Sequence, residues 1–100
     1  MYRVNRFFCY LFFVAQDHTR QAVCAHVARL LREERQRQGL SMDRLAEQSG
    51  LSQAMISFVE RELRNPTLDT LLRITRVLNL DLSAVLKDAG KAAARQRRPA

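Results

Sequence analysis

Proline and glycine are scarce, at two and three residues in a hundred. So few turn-formers leave room for few turns and predict an all-helical chain. Cysteine is almost as rare. Cys9 and Cys24 stand fifteen apart, with no Cys-x-x-Cys spacing and no histidine pair nearby, so no zinc site is expected. Both read as reduced thiols, with a single disulfide left open. No apolar run is long: the longest is residues 7–15. Nine residues rise only about 14 Å as a helix, against roughly 30 Å of hydrocarbon, which excludes a span through a membrane at that point. A Ser/His/Asp or Cys/His constellation, a phosphate-cradling glycine loop and a carboxylate pair off the helix surfaces are all missing, so no enzyme is expected. Acidic residues number ten against seventeen basic ones, fifteen of them arginine, for a formal charge of +7 and a pI near 10.7. That balance suits a polyanionic partner, nucleic acid first and an anionic membrane second.

What is present centres on residues 40–80. Ser41 reads as an N-cap, followed by an eight-residue helical run to Ser49. Gly50 breaks that run, and Ser52 offers a second N-cap before a fresh apolar periodicity. Leu45 and Ala46 on the first helix, Leu51 in the turn, and Ile56 and Val59 on the second fall where the two must touch. Two short capped helices joined by a tight glycine turn are the pattern of a helix-turn-helix, whose second helix enters the major groove. That second helix is expected to run over residues 53–63. At 100° per residue, Ile56, Val59 and Leu63 share its core face, and Ala54, Ser57, Phe58 and Arg61 point away.

Those positions suggest a reading surface. Gln53 can donate and accept at once, which suits the N6/N7 edge of adenine, and Ala54 and Phe58 could meet a thymine methyl. Phe58 has a second reading, packing against Met55 or the N-terminal aromatics. Arg61 can reach guanine or a phosphate. Arg44, Arg64 and Asn65, together with the helix N-termini, are candidate phosphate contacts. Ser41, Met42 and Ser52, at the starts of the two helices, complete the set.

The run Gly-Leu-Ser-x-x-x-Leu-Ala-x-x-Ser-Gly-Leu-Ser-x-x-x-Ile-Ser at residues 39–57 resembles the phage-repressor-like (Cro/XRE-type) helix-turn-helix family of transcriptional regulators. The match continues through Glu60, the stretch Arg64, Asn65, Pro66, Thr67 and Leu68, then Leu71, Ile74 and Leu78, and covers roughly residues 23–86. The resemblance implies a compact bundle of four to five helices of the lambda-repressor-like DNA-binding type. It also implies a sequence-specific regulator that binds double-stranded DNA in the cytoplasm, as a homodimer on a palindrome. No cofactor, small-molecule effector or membrane partner is implied. An antitoxin-like or adaptor module, whose main partner is a protein, is the competing reading. Arg35 matches a family position whose arginine pairs with the glutamate that Glu60 matches. Three departures stand out. Met42 replaces a glutamine that buttresses the reading helix, so that polar link is expected to be lost. Glu62 replaces a glycine, which predicts another turn of helix. Thr75 replaces an alanine.

The rest of the chain divides into residues 1–18, 19–89 and 90–100. Six of the seven aromatics lie within the first fifteen residues. This stretch reads as a non-domain extension (from a start codon placed too far upstream, for instance), as a packing or dimerisation segment, or as a membrane attachment. Asp17, His18 and Thr19 offer caps for the first domain helix, which carries Val23, Val27, Leu30 and Leu31 on one face. Arg29, Arg32, Glu33 and Arg37 form its solvated side, and His26 reads as half-buried and structural. Asn65 precedes proline and must leave the helical region. Thr67 then caps a fourth helix whose Leu68, Leu71, Leu72, Ile74 and Leu78 close the core, with Asn79 as a left-handed cap. A short fifth helix over residues 84–89 puts Val85 and Leu86 on its apolar side. From Lys91 the tail reads as a disordered basic arm, either touching DNA or idle.

Overall fold

The computed structural model describes residues 6–97, with side chains from His18 to Gln96. Five helices follow one another: α1 (Arg6–Arg37), α2 (Met42–Ser49), α3 (Gln53–Glu60), α4 (Leu68–Leu78) and α5 (Leu82–Arg97). There is no strand among the described residues. Helix α2 packs on both α3 and α4, and α1 lies along α5 and closes over α3 and α4. The space between them is filled by Val27 and Leu31, Leu45 and Ala46, Ile56 and Val59, Ile74 and Leu78, and Val85 and Ala89. Each pair recurs at three- or four-residue spacing or sits side by side on one helix face, the spacing that makes an apolar stripe.

Four helices end in the same way. Gly39, Gly50, Glu62 and Asn79 all take left-handed backbone, at φ of 71°, 72°, 60° and 57°. The leucine after each donates its amide five residues back: Leu40 to Arg35, Leu51 to Ala46, Leu63 to Phe58 and Leu80 to Thr75, at 2.8–3.0 Å. This is the Schellman closure, which satisfies carbonyls that the helix leaves orphaned. Thr75, buried in α4, directs its hydroxyl back to the Leu71 and Leu72 carbonyls at 2.9 and 3.2 Å. A buried hydroxyl at this position is therefore satisfied within its own helix.

Both ends of the bundle differ from the sequence expectation. Asp17, His18 and Thr19 do not start a helix; α1 passes through them from Arg6. Cap-forming side chains act only where the chain before them leaves the helix, and no glycine or proline precedes Gly39 to make it leave. The side chains of the aromatic run, and of Cys9, lie outside the described residues. At the other end, α5 continues to Arg97 instead of stopping near Ala89. Ala89 and Ala93, one helical turn apart, are fully buried, and Ala93 lies beside Ala22 and Ala25 of α1. Small side chains let the two helices approach closely, and the alanine-rich sequence favours helix by itself. His26 is buried rather than half-buried, and its Nε2 has no hydrogen-bond partner among the described residues. Cys24 is a free, half-buried thiol.

Arg35 and Glu60 are both buried, and they meet as a two-pronged ion pair. Arg35 Nε donates to Glu60 Oε1 at 2.6 Å and Nη2 to Oε2 at 3.1 Å. Arg32, expected on the solvated face, turns Nη1 toward the Glu60 carbonyl at 3.4 Å. Removing one partner of a buried pair strands the other charge, at a cost of about 3–5 kcal/mol, whereas removing both leaves only packing to repair. Arg35→Leu and Glu60→Leu should each lower the urea midpoint sharply. The double variant should be more stable than the sum of the two losses predicts. Strict additivity would show that the pair is not coupled.

Candidate nucleic-acid interface

Two serine caps, one at the start of each helix, and the left-handed Gly50 between them shape the α2–α3 unit. Ser41 Oγ accepts the Arg44 amide and Ser52 Oγ accepts the Met55 amide, both at 3.0 Å. Thr67 Oγ1 does the same for Thr70 at the start of α4, at 3.1 Å. Each cap satisfies one orphan amide and fixes the entry angle of its helix. The first turns of the three helices carry partial positive charge and unsatisfied N–H groups, the arrangement that attracts phosphate. The hydroxyls of Ser41 and Ser52 are engaged as acceptors there, and each keeps its own hydrogen to donate.

Along α3 the core side is Ile56, Val59 and Glu60, all buried. Gln53 and Ala54 are exposed, Ser57 and Phe58 half-buried, and Arg61, Arg64 and Asn65 exposed. The candidate residues of α3 thus share its outward side, as the 100° spacing implies. The helix itself is shorter than expected. It ends at Glu60, not at residue 63, and Glu62 takes the left-handed position instead of continuing the helix. Leu63, read as a core residue, is 56% exposed because that turn carries it off the core face.

Two contacts across this surface escaped the sequence reading. Gln53 Nε2 reaches Met42 Sδ at 3.7 Å. A link from α2 to the start of α3 therefore survives the loss of glutamine, as a weak N–H···S contact. The resemblance places residue 42 against the reading helix, but a methionine there is expected to make no polar link. The second contact sets the Arg64 guanidinium over the Phe58 ring, 4.9 Å from its centroid. Arg64 is a partner that neither reading of Phe58 named.

The arginines of this surface differ in how they are held. Arg44 faces Glu47 at 3.8 Å and Arg73 faces Asp69 at 2.8 Å, each on its own helix. Neither Arg61 nor Arg64 has a carboxylate partner among the described residues. Two arginines without a carboxylate contact therefore lie just beyond the end of α3, with exposed Glu62 between them in the chain.

The helix-turn-helix family model matches residues 31–85, and those residues hold every contact just described. The chain belongs to the helix-turn-helix family of transcriptional regulators. It is 41% identical over 56 residues to the HTH-type transcriptional regulator SutR of Escherichia coli, covering 56% of this chain and 32% of that protein. It is 39% identical over 64 residues to the control protein C.SmaI of Serratia marcescens, covering 64% and 76% of the two. The chain spans about a third of the length of SutR and of other such curated relatives. Among solved structures, the restriction–modification controller protein C.Esp1396I superposes with a TM-score of 0.65 at 25% identity, covering 73% of this chain and 95% of that one. A further structure of C.Esp1396I holds its highest affinity operator site.

In this helix-turn-helix, Glu62 occupies a backbone region that costs an L-residue roughly 1–2 kcal/mol, and glycine enters it freely. Glycine also loses more entropy on folding, so part of the gain cancels. Glu62→Gly should stabilise the domain by about 0.5–1 kcal/mol and raise Tm by a few degrees. A lower Tm would show that the glutamate side chain contributes something the backbone cost conceals.

Proposed function

We propose that the chain is a sequence-specific transcriptional regulator. It reads the major groove with α3 and binds a palindromic operator in the cytoplasm as a homodimer. The observation that carries this reading is the outward side of α3. Gln53, Ala54 and Ser57 stand there, flanked by three capped helix N-termini and by two arginines with no carboxylate partner among the described residues. Gln53 reads a base edge, Ala54 and Ser57 line the groove, and Arg61, Arg64 and Asn65 hold the phosphate backbone, with Ser41, Met42, Arg44 and Ser52 beside it. The operator-bound form of C.Esp1396I supports double-stranded DNA as the partner.

Support for a second copy comes from α4 and α5. Leu68, Leu72 and Leu86 were expected in the core, yet they are 64%, 49% and 41% exposed. Leu68 and Leu72 lie one turn apart on α4, and Leu72 shares a groove with Leu86, rimmed by Arg76 and Asp81. Ser83 donates its hydroxyl and amide to the Asp81 carboxylate, which holds that group ionised below the usual carboxylate range. An apolar centre bordered by one cation and one anion is self-complementary under a twofold axis, because each arginine can face the other copy's aspartate.

Two measurements test the proposal. Gln53→Ala should relax preference at one base pair in each half-site, by about 1–3 kcal/mol, and leave Tm unchanged. Selection from a random oligonucleotide pool reads that effect, and an unaltered motif would remove α3 as the reading helix. Leu72→Glu should shift sedimentation to the monomer and weaken operator binding while leaving the fold intact. A dimer that survives the substitution would move the interface elsewhere. A purified chain that shows no sequence preference at any salt concentration would favour the protein-partner module instead.

A further inference from the structure

We infer that Phe58 is a positioning residue for phosphate contact: its ring holds the Arg64 guanidinium ready without neutralising it. The inference rests on the reading of Arg64 as a phosphate contact. Arginine carries about 2 kcal/mol of rotamer entropy, and a free side chain loses much of that when it docks on a phosphate. A protein can meet this cost in advance by holding the side chain in place.

Carboxylates do this for the neighbouring arginines, Glu47 for Arg44 and Asp69 for Arg73. A carboxylate, however, cancels the charge that attracts the phosphate and occupies N–H groups that would donate to it. An aromatic ring does neither. The ring lies under the guanidinium carbon, 4.9 Å from it to the centroid, and accepts no conventional hydrogen bond from its N–H groups. Arg64 has no hydrogen bond or ion pair among the described residues, so those donors are uncommitted.

The backbone explains why the two side chains meet at a separation of six. Phe58 is the residue whose carbonyl accepts the Leu63 amide at 2.9 Å, closing the turn in which Glu62 is left-handed. That closure folds the chain back over the last turn of α3 and brings Arg64 onto the ring. Phe58 therefore serves the turn through its carbonyl and Arg64 through its ring. Side-chain substitution removes only the second.

The test compares Phe58→Leu, Phe58→Tyr, Arg64→Ala and the Phe58→Leu/Arg64→Ala double variant, in full-length protein. Affinity for the selected operator and for a non-specific duplex is titrated across salt, alongside Tm and the ring-current shift of the Arg64 side chain. Arg64→Ala should flatten the salt slope by about one unit on both duplexes. Phe58→Leu should abolish the ring-current shift and weaken both duplexes alike, by about two- to five-fold. It should leave the selected motif unchanged and do nothing further once Arg64 is gone. Phe58→Tyr should restore both shift and affinity.

The outcomes separate cleanly. If Arg64→Ala leaves the slope untouched, the phosphate reading of Arg64 falls and the positioning role falls with it. If Arg64→Ala acts as expected but Phe58→Leu is neutral, or is equally damaging without Arg64, the positioning role alone is overturned. A changed preference at a thymine step in Phe58→Leu would show that the ring reads bases, and would overturn it too.

Discussion

The ion pair between Arg35 and Glu60 is the constraint on which the rest of the helix-turn-helix depends. Helices α2 and α3 have eight residues each, far below the length at which an isolated helix holds together in water. Their geometry must come from what they are fastened to. One guanidinium does much of this, because besides the two bonds to Glu60, Arg35 Nη1 donates to the Leu40 carbonyl at 2.7 Å. It ties the end of α1 to the turn that launches α2 and to the last residue of α3. Burying two charges is costly, and the net stabilisation of such a pair is small. Its larger effect is to admit few alternatives: an α3 rotated or shifted by one residue would leave both charges buried and unpaired.

That fastening leaves the outer side of α3 with little structural duty beyond the weak Gln53–Met42 contact and the cover of Arg64 on Phe58. The core takes Ile56 and Val59, the ion pair takes Glu60, and the caps take the serine oxygens. What remains outward is available to a partner. The same division appears in the arginines: Arg35 is engaged inside, Arg44 and Arg73 face carboxylates on their own helices, and Arg61 and Arg64 have no carboxylate partner among the described residues.

Much of this was legible in the sequence because it is written locally. Ser41, Ser52 and Thr67 are caps by residue type, Gly50 and Asn79 are left-handed ends, and Asn65 before Pro66 closes the region behind α3. Features set by the absence or distance of other residues were not legible. Asp17, His18 and Thr19 look like caps, but only the chain before them could make them so. Ala89 and Ala93 are too weakly apolar to show as a stripe, although the close approach of α1 and α5 needs that smallness. Leu68, Leu72 and Leu86 look like core residues in a sequence, since composition cannot separate a leucine facing its own core from one facing another surface. Glu62 was misjudged because propensity argues against a left-handed glutamate, and the closure between Leu63 and Phe58 outweighs that preference.

Helix α3 being eight residues long, not eleven, has a consequence for recognition. Eight residues rise about 12 Å, comparable with the width of the major groove, so a single copy spans few base pairs however it is tilted. The residues that would have made up a third turn instead form the left-handed closure that returns Arg64 toward Phe58. On the proposed reading, the chain would exchange reach along the bases for grip beside them. Grip on phosphates raises affinity for all DNA and discriminates none of it. On the proposed reading, such a module would gain specificity by repeating its short reading helix at a fixed spacing, and the exposed leucines of α4 and α5 would lie on the face where a second copy sets it.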